Sequence, residues 1–290
     1  MLRLSLHRRR QLLPWIFLGP GLLWLIIFFL IPLINQLNVS LQTGDPENGY
    51  VFNWAFSTYS DAVRDYHTQF VRSIIYSGAS TILCFVIGFP LAYFIAFKAG
   101  RYKNLLLLLV ILPFFVSYVL RTVSWQLILA DNGWVANRLR DVGLLSADGR
   151  LLATQTAVIA GITYNFLPFM VLPLYVSLEK IDRRLIEAAT DLYASRPTAF
   201  MKVTIPLALP GIFAGSLLTF IPACGDFINA ALLGTPEQYM IGNVIQSKFL
   251  VIQDYPTAAA LSFILMAFIL IGIALYARLL GTRNLTEAAF

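Results

Sequence analysis

The sequence predicts an all-α integral membrane protein with six membrane-spanning helices, and its composition and apolar patterning support this. Of its 290 residues, 58% are hydrophobic and only 12% are charged, and the mean hydropathy is +0.73. A soluble domain carries roughly 25% charged residues. The apolar residues also come in runs of about 20 to 27, which is long enough to cross a hydrocarbon core of about 30 Å.

We expect six spans, all of them helical, because a helix satisfies its backbone hydrogen bonds within its own segment. The spans cover residues about 13–34, 70–97, 105–129, 154–177, 207–233 and 257–281. Several of the spans contain internal proline, which usually marks a kink. The first run is longer than the roughly 7–15 residues of a signal-peptide core, so we expect it to be retained. Residues 1–290 are predicted to form a single transmembrane domain.

The distribution of Lys and Arg predicts the orientation of the chain, because these residues collect on the cytoplasmic side of a membrane. With a cytoplasmic N-terminus, 14 of the 21 basic residues fall on the inside. They are Arg3, Arg8, Arg9, Arg10, Lys98, Arg101, Lys103, Lys180, Arg183, Arg184, Arg196, Lys202, Arg278 and Arg283. Both termini are therefore predicted to be cytoplasmic, and so is the connection at about 178–206.

The sequence carries no signal for a metal site, a disulfide framework or a nucleic-acid surface. Cys84 and Cys224 lie inside apolar runs, and the two histidines, His7 and His67, are isolated. Zinc sites and disulfide frameworks need more cysteines at patterned spacing. The net charge of +6 is accounted for by basic cytoplasmic loops. We expect no cofactor, no metal and no nucleic-acid partner for this chain, and membrane lipid as its surroundings.

The cytoplasmic connection has the pattern of two short helices. Apolar residues recur there at helical spacing: Ile181, Leu185, Ala188, Ala189 and Leu192. Asp182 is a candidate N-cap for the first helix and Ser195 for the second, while Pro206 marks the entry to the fifth span. Two interpretations are open, because such a helix can dock into a groove on a partner protein or rest on lipid headgroups.

The stretch EAATDLYASRPTAFMKVTIPLALPG, residues 187–211, resembles the EAA loop of binding-protein-dependent ABC importer permeases. The departure is Tyr193, because the family has Gly there, at the bend between the two helices. We expect either ordinary backbone angles at Tyr193 or a bend taken up by Ala194 and Ser195. The resemblance implies that the loop couples to an ATPase through Glu187, Ala188, Ala189, Asp191, Tyr193, Ala194, Ser195 and Pro206.

Other stretches are similar to the spermidine/putrescine permease subgroup. They include LPFFVSYVLRTVSWQLIL, YNFLPFMVLPLYVSLEKID and FIPACGDFINAALLG, and the similarity covers most of 105–280. The resemblance implies the type I ABC importer permease fold, with a coupling-helix loop between helices 4 and 5. It also implies import of a polyamine or a related cationic solute. Permeases of this architecture carry ferric iron, phosphonates or amino-acid-like solutes as well, so these alternatives stay open.

The resemblance further implies partners at a bacterial inner membrane. These are a second, homologous permease subunit, two cytoplasmic ATPase subunits that bind ATP and Mg²⁺, and an extracytoplasmic solute-binding protein. The chain lacks a G-x-x-x-x-G-K-[ST] loop, so we expect it to be neither the ATPase nor an enzyme. The alternative is a stand-alone carrier or channel. Such carriers often show inverted repeats, and the sequence shows none.

Polar residues inside the spans are candidate pathway residues, because they are costly in lipid. They are Tyr118, Arg121 and Trp125 in the third span, Tyr164 and Asn165 in the fourth, and Asp226 and Asn229 in the fifth. We expect Arg121 and Asp226 to reach a similar depth near the outer surface, about 24 and about 27 Å above the cytoplasmic ends of their spans.

Three interpretations follow from these residues. Arg121 and Asp226 can pair with each other and fix helix packing. Alternatively, Asp226 faces the pathway and attracts a cationic solute, with Trp125 or Tyr164 offering an aromatic face. An anion importer would instead use Arg121.

Gly211 and Gly215 form a G-x-x-x-G pattern at the start of the fifth span. This pattern is typical of close helix packing, either within the chain or against the partner permease subunit. The outer stretch at about 235–256 is predicted to contain a short helix, which either rests on the membrane surface or lies near the docking site of the binding protein.

Overall fold

The computed structural model describes residues 17–146 and 148–280, and this part of the chain is mostly helical. Within it, five helices are long and apolar enough to cross a membrane, and a sixth span is present if one bent helix pair counts as a single span. The predictions for His7, Arg3, Arg8, Arg9, Arg10 and Arg283 lie outside the described residues, as do those for residues 13–16 and 281 at the ends of the first and sixth spans.

Eleven helices of the described residues are labelled in chain order, and the longest connections between them are 41–56 and 142–154. The helices are α1 (Phe17–Ser40), α2 (Ser57–Phe97), α3 (Gly100–Phe115), α4 (Tyr118–Leu129), α5 (Trp134–Asp141), α6 (Gln155–Glu179), α7 (Arg183–Asp191), α8 (Arg196–Cys224), α9 (Ile228–Leu233), α10 (Ile241–Leu250) and α11 (Tyr255–Leu280). Two strands, β1 (Gln42–Asp45) and β2 (Gly49–Phe52), form an antiparallel hairpin between α1 and α2.

The chain divides into two compact units. The described residues of Met1–Arg64 and Ser247–Ile264 form the first, and those of Asp65–Gln246 and Leu265–Phe290 form the second. The prediction that 1–290 is one domain therefore stays a prediction.

In the first unit, the β-hairpin is tied to the segment before α11. The Asp45 carboxyl accepts hydrogen bonds from the backbone N–H groups of Glu47 and Asn48, which closes the hairpin turn. The Tyr50 hydroxyl donates to the carbonyl of Gln253 at 2.6 Å. Burial raises the pKa of the Asp254 carboxyl, but its hydrogen bonds with Lys248 and Thr257 outweigh that effect and hold the pKa below its usual value. No pattern in the sequence indicated this hairpin.

In the second unit, α6 is the central helix, and buried residues occur along most of its length, from Ala157 to Leu178. Thr154 caps its N-terminus by accepting a hydrogen bond from the backbone N–H of Ala157 at 3.1 Å. Helix α8 packs closely against α6, because a Cβ atom added at Gly211 would lie only 2.7 Å from the carbonyl oxygen of Pro173. The G-x-x-x-G pattern is therefore used inside the chain.

The structure corrects two predicted spans. The second span, predicted at 70–97, lies within α2, whose helix begins earlier, at Ser57. The third was predicted as one helix over 105–129. Instead, Gly100–Phe115 and Tyr118–Asp141 meet at 94°. The fifth was predicted over 207–233, but α8 ends at Cys224 and α9 is a separate short helix.

The backbone explains the break in the third span. Pro113 lies in a tight 3-10 turn, and Val116 and Ser117 then take extended conformations, both with ψ of 138°. Proline cannot donate a helical hydrogen bond, so it disfavours a continuous helix there. The height expected for Arg121 is wrong, because this residue follows the break. Helix α8, in contrast, runs unbroken to Cys224, two residues before Asp226.

Candidate functional site

The candidate site is built around the buried carboxyl group of Asp226, in the break between α8 and α9. Its Oδ1 atom accepts a hydrogen bond from the backbone N–H of Asn229 at 2.8 Å. Its Oδ2 atom accepts hydrogen bonds from the Asn229 side chain at 2.7 Å and from the Tyr118 hydroxyl. A short Asx-type turn explains the local geometry, since Asp often bonds the backbone a few residues ahead of it.

The same hydrogen-bond network joins three helices. Asn229 on α9 donates to the Tyr118 hydroxyl of α4 at 2.6 Å. Asn165 on α6 donates to the Asn229 side-chain oxygen and to the Thr122 hydroxyl, both at 3.2 Å. The structure therefore brings together Tyr118, Asn165, Asp226 and Asn229, which were predicted separately. Thr122 was missed, and its only sequence signal is its place one helical turn after Tyr118.

Arg121 does not pair with Asp226. No ion pair joins them within the described residues, although both side chains are buried. The Arg121 guanidinium instead lies over the rings of Phe114, at 5.0 Å, and Tyr118, at 5.6 Å. Its Nε and Nη1 atoms are buried without a hydrogen-bond partner in the described part of the chain. The interpretation in which these two charges fix helix packing is therefore not supported by the contacts.

Trp125 and Tyr164 contact each other. Their ring centroids are 5.3 Å apart in an edge-on arrangement that connects α4 to α6. Trp125 also packs against the buried core cluster that contains Phe166. These two aromatic residues thus lie on the helices that carry Tyr118 and Asn165, and their predicted contact with solute stays a prediction.

A cavity of about 920 Å³ lies between α6 and α8. Its lining is mostly apolar and includes Phe169 and Pro173 from α6 and Gly211 and Leu218 from α8. Lys180 and Asp182, in the predicted cytoplasmic connection, also line it. Along α6, Phe169 and Lys180 are separated by a rise of about 16 Å, so the cavity extends well into the span.

In the predicted cytoplasmic connection, one short helix, α7, forms as the sequence predicts, and the second predicted helix is the first part of α8. Asp182 caps α7 by accepting a hydrogen bond from the backbone N–H of Arg184 at 3.0 Å. Ser195 caps the start of α8 by accepting one from the backbone N–H of Thr198 at 3.4 Å. Pro206 lies within α8, just after a π-helical turn at Phe200–Thr204. Both predicted N-caps are confirmed.

Tyr193 itself makes the bend after α7, which corrects the prediction about it. Its φ is +61°, in the left-handed region. Its backbone N–H bonds the carbonyl of Thr190, and the N–H of Ala194 bonds that of Ala189, both at 3.0 Å. This is the Schellman arrangement, in which the left-handed residue is usually Gly. Neither ordinary angles at Tyr193 nor a bend confined to Ala194 and Ser195 is observed.

Helix α7 is fastened to the end of one span. The Arg183 side chain donates to the carbonyl of Phe97, the last residue of α2, at 3.3 Å. A cation is favourable at this position because the C-terminus of a helix carries partial negative charge. A separate ion pair, between Lys103 at the start of the third span and Glu179 at the end of α6, joins those two spans. Neither contact was predicted from the sequence.

Much of the surface of α7 is exposed. Glu187, Ala188 and Asp191 are exposed, and Ala189 is half-buried. Leu192, which ends the predicted apolar face, is 82% exposed. The apolar face is therefore not fully buried by packing inside this chain, and its exposed part is free to contact a partner protein or lipid.

Residues 88–281 match the family described as the binding-protein-dependent transport system inner membrane component. The chain belongs to this family. The permease is 42% identical to the spermidine/putrescine transport system permease protein PotB of Haemophilus influenzae, over 85% of this chain and 88% of that protein. It is 36% identical to PotB of Escherichia coli, over 82% of this chain and 87% of that protein.

Solved structures agree with this assignment at the level of the fold. The permease resembles a chain in the crystal structure of a bacterial alginate ABC transporter in complex with an alginate pentasaccharide-bound periplasmic protein. The TM-score is 0.70 at 22% identity, and the match covers 95% of this chain and 96% of that chain. The predicted type I importer permease fold is confirmed. As a member of an inner-membrane, binding-protein-dependent family, the permease works with partner subunits.

Proposed function

We propose that the permease is one of two transmembrane subunits of an ATP-driven uptake system, and that its solute is a polyamine of the spermidine/putrescine type. The observation that carries this proposal is the 42% identity, over 85% of the chain, to a protein named for that transport. The buried Asp226 carboxyl and the aromatic rings near it support a cationic solute, because both attract ammonium groups.

We further propose that α7 docks onto a cytoplasmic ATPase subunit through Glu187, Ala188, Ala189 and Asp191, with Leu192 beside them. An exposed amphipathic helix held between two spans is well suited to insertion into a groove. Its hydrogen bond to the end of α2 and its short connection to α6 would pass a movement of the ATPase pair to the spans as a rigid-body change. ATP and Mg²⁺ would be bound by the ATPase subunits, which leaves this chain without a catalytic role.

A reconstitution experiment tests both proposals. The permease, its partner permease, the ATPase pair and the solute-binding protein are placed in liposomes, and uptake of labelled putrescine and spermidine is followed with ATP inside. We expect ATP-dependent uptake that vanishes when the ATPase subunits are omitted. Uptake that persists without them would show a stand-alone carrier. Uptake of phosphonate, ferric iron or amino acids without polyamine uptake would overturn the proposed solute class.

A further inference from the structure

Arg121 carries a buried positive charge that no polar group of the described chain satisfies. The side chain is 8% exposed, and its Nε and Nη1 atoms have no hydrogen-bond partner. Its guanidinium carbon lies 5.0 Å from the ring centre of Phe114 and 5.6 Å from that of Tyr118. Burying a cation without an anion is unfavourable, so Arg121 is held here mainly by the attraction of aromatic faces.

The two rings under Arg121 belong to a larger aromatic cluster. Phe114 contacts Phe169 with ring centres 5.0 Å apart, and Phe166 contacts Tyr118 at 6.1 Å and Phe169 at 6.0 Å. Phe169 also lines the cavity between α6 and α8. The aromatic cluster therefore reaches from the cavity to the guanidinium of Arg121.

The same cluster has a carboxyl group at one end. The Tyr118 hydroxyl donates to Asp226, and donation to a carboxylate makes the phenol ring a better partner for a cation. The buried Oδ1 atom of Asn165 accepts no hydrogen bond from the described residues, although its amide group is part of the Asp226 network. Aromatic faces, a carboxyl group and an unused oxygen acceptor together are the groups that bind an alkylammonium ion.

We propose that Arg121 is a built-in competitor for this cation site: it occupies the faces of Phe114 and Tyr118 until an ammonium group of the solute displaces it. The inference rests on the proposed import of polyamines. Arg121 can leave because its Nε and Nη1 atoms give up no hydrogen bond when it moves. A neutral solute gains no such attraction from the aromatic faces and cannot displace Arg121, so this exchange selects for positively charged solutes.

The test measures binding of labelled putrescine to the assembled transporter in lipid nanodiscs, without the solute-binding protein. Arg121→Met removes the charge and keeps an extended apolar side chain. We expect it to bind putrescine at least about tenfold more tightly than wild type, because the tethered cation no longer competes. Arg121→Lys keeps a competing cation and should stay close to wild type. Adding Phe114→Leu to Arg121→Met should remove most of the gain.

An Arg121→Met assembly that binds putrescine no better than wild type would overturn the inference. Arg121→Gln gives a second neutral variant, to be used if Arg121→Met does not assemble. If both neutral variants fail to assemble while Arg121→Lys assembles, then Arg121 serves a structural charge pair with a partner subunit, and the inference is wrong. Transport by the complete wild-type system separates the two proposals. If it imports polyamines but Arg121→Met binds putrescine no more tightly than wild type, only this inference is wrong. If it imports no polyamine, the proposed function is wrong.

Discussion

At the scale of single residues, Tyr193 combines an unfavourable backbone conformation with a side chain that has no packing role. Its φ is +61° and its side chain is 100% exposed. The left-handed conformation costs a non-glycine residue about 1–2 kcal/mol. Nothing in the structure of this chain offsets that cost. The Schellman bonds after α7 are made by the backbone and need no side chain at this position.

We therefore expect Tyr193→Gly to raise the free energy of unfolding by about 0.5 kcal/mol, because the relieved strain exceeds the extra flexibility of glycine in the unfolded chain. The measurement is thermal unfolding in detergent. Tyr102→Gly is the matched control, since Tyr102 has φ of −88° and no such strain. Tyr102→Gly should destabilise the protein. Equal destabilisation by Tyr193→Gly and Tyr102→Gly would show that the backbone at Tyr193 is not strained. The bend should persist in Tyr193→Gly, with polyamine import at an unchanged rate.

Asp226 gives a second prediction at this scale. Asp226→Asn should lower the free energy of unfolding by about 1–3 kcal/mol, because one of its two oxygens becomes an NH₂ group that faces a hydrogen-bond donor. Both carboxyl oxygens accept hydrogen bonds now, so neither orientation of the amide avoids the conflict. Asp61→Asn serves as the control, since Asp61 is exposed and its ion pair with Arg64 at 3.0 Å contributes little. Equal melting temperatures for the two variants would argue against the buried network.

At the scale of secondary-structure elements, the contact of α6 with α8 depends on glycine. A Cβ atom at Gly211 would lie 2.5 Å from the Cβ of Ser177, and one at Gly215 would lie 2.8 Å from the sulfur of Met170. Neither distance is compatible with van der Waals packing. The two helices can therefore approach this closely only where α8 lacks side chains.

Gly211→Ala should accordingly destabilise the isolated chain in detergent by about 1–3 kcal/mol, because the helices must move apart. The matched control is Gly78→Ala in α2, where an added Cβ atom has no neighbour within 4 Å. It should be neutral or stabilising by up to about 1 kcal/mol, since alanine favours a helix. If Gly211→Ala leaves the chain stable but prevents assembly with the partner permease, the pattern serves the subunit interface instead.

The elements also show how far a sequence determines such a structure. The fourth span follows from its apolar run and from Thr154, whose side chain fixes the helix start by a local hydrogen bond. The 94° bend in the third span is not foreseeable, because apolar residues continue on both sides of it. Pro113 signals only a kink. The angle depends on tertiary contacts such as those of Phe114 with Phe169.

In the candidate site, too, some residues could be predicted from the sequence and others could not. Asp226, Asn229 and Asn165 stand out because polar residues are rare inside apolar runs. Thr122 does not stand out, since a threonine hydroxyl in a helix normally bonds a backbone carbonyl one turn back, as Thr122 also does with Tyr118 at 3.1 Å. Which partner Asp226 takes was not predictable, because Tyr118 and Arg121 lie on one face of the same helix. Only the three-dimensional arrangement places the hydroxyl on the carboxyl group.

At the scale of the whole molecule, the orientation in the membrane is the main prediction that follows from charge alone. The β-hairpin turn carries Asp45 and Glu47 and no basic residue, and α7 begins with Arg183 and Arg184. Basic residues stay on the cytoplasmic side, so the hairpin should be outside and α7 inside. Both proposals about function require this, because the ATPase subunits and ATP are cytoplasmic.

Cysteine labelling in intact cells tests the orientation with little background, since the native Cys84 and Cys224 are both 0% exposed. A membrane-impermeant maleimide should label Glu47→Cys from outside, because this residue lies in the exposed hairpin turn. It should label Arg184→Cys, on the exposed surface of α7, only after the membrane is permeabilised. The unaltered protein should stay unlabelled in both conditions. Labelling of Arg184→Cys in intact cells would place α7 outside, where no cytoplasmic ATPase could reach it. Both the predicted orientation and the proposed docking of α7 onto an ATPase subunit would then be wrong.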